Sequence, residues 1–155
     1  MNAAAIYGKG MKNGKNLKLA QTGGSSGSIV PASLQDTPMD FDSFAKAGVA
    51  LGSGALLICD SDTCVIDLAK VLLNFFRKES CGKCTPCRVG THRAHEILDG
   101  MVRGGGQPGN VEELRQLAEV MFDSSFCGLG QSVPIPMRSA LGNFAEAFAA
   151  AENRE

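Results

Sequence analysis

Within the ten residues Glu79-Ser80-Cys81-Gly82-Lys83-Cys84-Thr85-Pro86-Cys87-Arg88, cysteine recurs at every third position. A thiolate set spaced C-x2-C-x2-C wraps one chain segment around an iron–sulfur cubane, each sulfur reaching a different iron while neighbouring backbone N–H groups point at the sulfurs. Three thiolates leave such a core one ligand short. The compact ferredoxin pattern supplies the next cysteine three residues on, before a proline, but here Arg88, Val89, Gly90 and Thr91 follow. Cys59, Cys64 and Cys127 remain as candidates. Cys59 ends an apolar run and Cys64 opens a helical pattern, so burial and helix-end packing account for both. Cys127 lies in SSFCGLGQ, where Gly128 and Gly130 permit tight turns and close backbone approach. The expected ligand set is therefore Cys81, Cys84, Cys87 and Cys127.

The residues around these thiols suit an anionic centre. Lys83 and Arg88 beside the loop offset its charge and raise its reduction potential. Pro86 restricts the chain between two ligands and lowers the entropy lost on closure. A structural zinc site is the main alternative, because four cysteines also satisfy a tetrahedral ion. Zinc usually takes two separate knuckles, whereas three evenly spaced thiols plus one distant thiol suit a cubane. His92 and His95, three apart on an amphipathic helix, read as solvated or hydrogen-bonded side chains. GGSSGS at 23–28 lacks the Gly-Lys-Ser/Thr ending of a phosphate loop and reads as a turn.

The elements that must position these thiols change character along the chain. Up to about residue 60 the signals are of strand and turn: Leu17 to Gln21, the glycine-serine turn, then ALLIC at 55–59. From Asp62, a candidate N-cap, Val65, Leu68, Ala69, Leu72, Phe75 and Phe76 repeat at helical spacing. A second helix starts after Cys87 and stops at the glycines 104–106, with Ala94, Ile97, Leu98 and Met101 inward. Asn110 and Glu113 resemble a capping box opening a third, carrying Val111, Leu114, Leu117, Ala118 and Met121. A last helix, with Pro136 in its first turn, turns Met137, Leu141, Phe144 and Phe148 inward. The phenylalanine pairs 75/76 and 144/148 read as core. Four helices behind a small β segment make an α+β chain.

Composition bounds the function. The chain has 155 residues with 15 basic and 16 acidic side chains, one ordinary domain by length and without the charge excess that would seek nucleic acid. The first residues carry no signal-peptide core, and the apolar stretch near 48–59 is too short to cross a bilayer and is broken by Gly52 and Gly54. A soluble cytoplasmic chain follows, alone or within a complex at the cytoplasmic face of the membrane, where clustered cysteines serve metal or redox chemistry rather than disulfides.

ESCGKCTPCRVG and, about forty residues later, SSFCGLGQSVPIP together resemble the C-terminal cluster region of the NADH-binding flavoprotein subunit of respiratory complex I. The same module occurs in diaphorase subunits of NAD(P)-linked hydrogenases and formate dehydrogenases. KNGKNLKLAQTGGSSGSIVPA at 12–32 is similar to the end of that family's soluble-ligand-binding β-grasp domain, with Ser25 and Ser28 where the family tends to have proline and glycine. The resemblance implies a partial β-grasp segment over 1–60, its opening strands missing before MNAAAIYGKGM, and a four-helix bundle over 61–155 holding one 4Fe-4S cluster. It further implies an electron relay from reduced flavin to other iron–sulfur centres of an NAD(P)H-oxidising complex. FMN and NAD(P)H sites would belong to a preceding domain or partner chain, so this chain is not expected to oxidise NADH alone. The alternative is a zinc-stabilised or scaffold remnant of a split flavoprotein without redox activity.

Overall fold

A computed structural model of the chain describes residue 11 and residues 14–153. They separate into two compact units, Met1–Thr63 and Cys64–Glu155. The expectation that a β-grasp fold is entered midway at residues 1–10 lies outside the described residues.

The first unit is a three-stranded antiparallel sheet in the order β2-β1-β3, formed by β1 (Leu17–Thr22), β2 (Ile29–Pro31) and β3 (Leu56–Asp60). Ala20 faces Val30 on one side and Ile58 on the other. A short helix, α1 (Phe41–Lys46), is capped by the Asp40 carboxylate, which accepts the Ser43 amide at 2.8 Å. Its Phe44 packs with Val30 and Val49. The glycine-serine segment joins β1 to β2 as a turn, as expected. Gly23, at φ +71°, comes so close to the backbone of Gly52 that an added Cβ would lie 2.9 Å from its Cα. These glycines are there for backbone contact. Ser28 is buried and its hydroxyl accepts the Ala50 amide at 3.4 Å.

The second unit is helical: α2 (Val65–Glu79), α3 (Thr85–Val102), α4 (Asn110–Ser124), α5 (Gly128–Ser132), α6 (Pro134–Asn143) and α7 (Ala145–Glu152). α2 lies along α3, α3 along α4, and α4 against α5 and α6. The apolar stripes meet there, with Leu73, Ala94, Leu98, Leu114, Ala118, Met121 and Ala140 wholly buried. Gly90 lets α3 and α4 approach, since an added Cβ would stand 2.7 Å from Met121 Cγ. On the outside, Arg93 forms a bidentate pair with Glu113 at 2.6 and 2.9 Å, an exposed link worth little beyond registry.

The structure corrects four local expectations. The residue at the N-cap of α2 is Cys64, because Asp60 closes an Asx turn, accepting the amide of Asp62 at 3.1 Å and the Thr63 hydroxyl at 3.2 Å. That turn delays the helix and leaves Asp62 to pair with Lys15. Asn110 forms no capping box: Gly109 stands at the N-cap in the left-handed region, and Asn110 accepts the Gln107 amide at 2.8 Å. The Val111 amide is capped instead from a distance by Glu152, at 3.0 Å. The expected last helix is two, α6 and α7, divided where Phe144 leaves helical geometry at φ −132°, ψ 36°. Phe148 is buried as expected and Phe144 only partly. Phe75, expected in the core, is 46 % exposed and meets Phe76 edge-on.

Two glycines give a paired test by denaturant unfolding. Gly90→Leu is expected to cost about 1–3 kcal/mol through overpacking, part of it recovered by Met121→Ala in the same chain. Gly142→Ala, where an added Cβ meets nothing within 4 Å, is expected to add about 0.4–1 kcal/mol. His95 gives a second test. Burial first, then the charges of Arg77 and Lys70, hold its imidazole below the ordinary pKa, with Asp99 opposing. The unfolded chain then takes the proton more readily, so stability is full above about pH 6.5 and declines as pH falls through that value. Urea midpoints at pH 7 and 5 are expected to differ less in His95→Gln than in the parent chain.

Candidate metal centre

The loop that carries the first three thiols is set by the end of one helix and the start of the next. α2 ends at Glu79, Ser80 takes an extended conformation, and Gly82 turns the chain at φ +75°. A side chain is strained there, which accounts for glycine between Cys81 and Lys83. Arg88 Nη1 donates to the Gly82 carbonyl, so this arginine holds the loop as well as adding charge. Lys83 is exposed in the same loop. Cys84 is at the N-cap of α3, and Thr85 and Pro86 form the start of the first turn. Proline costs nothing at that place, because the first amides of a helix have no internal partner. Cys87 lies inside the helix; the expected start after Cys87 is too late by one turn because Cys84 already begins it.

Cys127 is at the N-cap of α5. The segment that brings it near the loop is fixed by Gly130, where an added Cβ would lie 2.4 Å from Ser125 Oγ and 3.0 Å from Cys87 Cβ. Only glycine allows the backbone of α5 to lie against Cys87. Gly128 differs, for a Cβ there would meet nothing within 4 Å; close approach belongs to Gly130 alone. Gln131 Nε2 donates to the Ser125 carbonyl at 3.0 Å and fastens the turn.

The thiols are unequal. Cys84 and Cys87 are 7 % and 5 % exposed, whereas Cys81 and Cys127 are open to solvent. The backbone amide of Phe126 holds the Cys84 thiol below its ordinary pKa, with the Cys87 amide adding to it against the effect of burial. Burial pushes the Cys87 thiol up, the Ser80 hydroxyl at 3.3 Å opposes this, and charge on Cys84, Cys127 and Cys81 pushes it further. Cys87 therefore feels the other three thiols at once. Yet among the described residues no three Cys, His, Asp or Glu side chains converge as ligands of one ion.

The chemistry of this donor set fits an iron–sulfur group: four thiols, amides aimed at sulfur, and a buried hydroxyl, Ser125 Oγ, that has no hydrogen-bond partner among the described residues. Such a hydroxyl costs about 1–3 kcal/mol when left unpaired. Of the other cysteines, Cys59 lies in β3 of the first unit, with burial raising its pKa, and Cys64 is exposed at the start of α2. Sequence reading missed Ser80, Ser125 and the Phe126 amide. A serine beside or two before a cysteine was the available signal, but which hydroxyls and amides face a sulfur is decided by the fold.

These features define an iron–sulfur module of an oxidoreductase, and the chain belongs to the NADH-ubiquinone oxidoreductase-F iron–sulfur binding region family, which it matches over residues 67–151. It is similar to the NADP-reducing hydrogenase subunit HndC of Solidesulfovibrio fructosivorans, 40 % identical over 92 % of this chain and 29 % of the relative. An NADH-quinone oxidoreductase subunit from Escherichia coli is 37 % identical over 93 % of this chain and 33 % of its own length. Among solved structures, an NAD+-reducing [NiFe]-hydrogenase in the H2-reduced state superposes with a TM-score of 0.79 at 26 % identity, covering 91 % of this chain and 24 % of the hydrogenase chain. The chain thus spans about a third or less of these relatives. Among its described residues no helix is long and apolar enough to cross a membrane.

Gly130→Ala is expected to force the Ser125 and Cys87 side chains apart. Iron retained per chain after anaerobic gel filtration should fall several-fold against the parent, while the helical circular dichroism remains.

Proposed function

We propose that Cys81, Cys84, Cys87 and Cys127 hold one 4Fe-4S cluster, and that this chain relays electrons from a reduced flavin to further iron–sulfur centres of an NAD(P)H-oxidising complex. The observation that carries the reading is Gly130, three residues after Cys127, packed against the Cys87 side chain in a chain of this family. When bound, a 4Fe-4S cluster supplies one-electron transfer at a potential set by its protein surroundings.

The residues divide the work by position. Cys84, at the start of α3 and facing the Phe126, Cys87 and its own amides, presents its sulfur more readily as thiolate than an ordinary thiol. Cys87 presents its own from the interior, beside the Ser80 hydroxyl. Cys81 and Cys127 close the open side. Lys83 and Arg88 partly neutralise the anionic set, and Gly82 and Gly130 supply the geometry. The buried pair excludes water on one side, and the exposed pair leaves a short path to a partner.

In this reading residues 1–60 are part of a β-grasp segment and 61–155 the cluster domain. The flavin and nicotinamide sites belong to another domain or a partner chain. That assignment draws on the names of the relatives, which are subunits of an NADP-reducing hydrogenase and of an NADH-quinone oxidoreductase. The complex would be cytoplasmic, the chain peripheral to any membrane. The family match and the even x2 spacing of three thiols favour a polynuclear core over the zinc alternative.

Anaerobically purified chain is expected to carry about four irons and four sulfides, with a reduced-state EPR signal after dithionite. One zinc and no labile sulfide would overturn the proposal. Cys127→Ser is expected to lose or alter that signal, whereas Cys59→Ser and Cys64→Ser are expected to keep it.

A further inference from the structure

Ser125 is 6 % exposed, and its hydroxyl is buried without a hydrogen-bond partner among the described residues. The rest of the residue is satisfied: its amide donates to the Met121 carbonyl at 3.2 Å and its carbonyl accepts from Gln131 Nε2 at 3.0 Å. The Oγ atom lies beside the Cys87 side chain, both within 3.0 Å of the place where a Gly130 Cβ would stand. The Ser80 hydroxyl is already engaged, 3.3 Å from the Cys87 sulfur and 3.3 Å from the Gly82 amide. Of these two serines near Cys87, one hydroxyl has partners and the other has none among the described residues.

Buried hydroxyls are rarely left unpaired, because the lost hydration is not returned. What this one lacks is a partner, and Cys87 is among the side chains packed nearest it around Gly130. We propose that Ser125 Oγ is a hydrogen-bond donor to sulfur of the bound cluster, either the Cys87 thiolate or an inorganic sulfide, and that it raises the reduction potential. The inference rests on the iron–sulfur reading above. A donor at sulfur withdraws electron density and favours the more negative, reduced state. Ser125 is in this sense a positioning and tuning residue, outside the ligand set.

The experiment is an EPR-monitored redox titration of the anaerobically loaded chain, alongside Ser125→Ala and Ser125→Thr, with iron and sulfide measured on each. Ser125→Ala is expected to keep its iron while its reduced-to-oxidised ratio at the parent midpoint falls about fivefold. That corresponds to a midpoint about 40 mV more negative at about 59 mV per decade. Ser125→Thr, which retains a hydroxyl, is expected to stay within about twofold of the parent. Loss of the cluster from the alanine chain with retention in the threonine chain would also support the proposal. An alanine chain with full iron and an unchanged midpoint would overturn it, as would equal shifts in both variants or loss of the cluster from both. A parent chain without labile sulfide would instead overturn the iron–sulfur reading itself, and the inference with it.

Discussion

The missing side chain at Gly130 is the constraint on which the site depends. It lets α5 lie directly against Cys87 and Ser125, and α5 begins at the exposed Cys127, 46 residues after Cys81. A methyl group there would occupy the space of Ser125 Oγ and crowd Cys87. Gly90 performs the matching task between α3 and α4, where Met121 fills the room that a side chain would take. Close helix packing and ligand geometry are thus two aspects of one arrangement, because the helices whose ends bear the thiols are those that the glycines bring together.

The electrostatics of the thiols follow from the same arrangement. Cys84 gains the Phe126 amide because the chain returns past the loop just before Cys127. The Phe126 ring meanwhile remains 82 % exposed, so this residue serves the site through its backbone. Cys87, deeper and flanked by other thiols, resists ionisation until a cation compensates it.

Much of the fold was legible in the residues. The apolar stripes of α3 and α4 mark their buried faces correctly at Ala94, Leu98, Leu114 and Met121, and the C-x2-C-x2-C spacing with the glycine-flanked Cys127 is the basis of the proposed ligand set. The mixed helix and three-stranded sheet agree with an α+β chain. The two misplaced helix caps share a cause, competition among local hydrogen bonds. Asp62 is a good N-cap type, but the Asp60 turn comes first; Asn110 suits a capping box, but its carbonyl serves Gln107. Phe75 shares the helical spacing of its neighbours yet stands at the margin of the stripe, where a shift of one position decides burial. β2, only three residues long, is held by its pairing with β1 and has too little pattern to read.

The far end of the helical unit sets the shortest chain that can form it. Glu152 caps the Val111 amide at 3.0 Å, and Gly106 lies so close beneath the Ala151 carbonyl that a Cβ would be 2.1 Å from the oxygen. The last turn of α7 therefore completes the start of α4 and seals the glycine turn before it. A chain cut back to residue 150 would leave α4 uncapped and Phe148 on a fraying end. The minimal excisable module extends through Glu152, although its final residues carry no metal ligand.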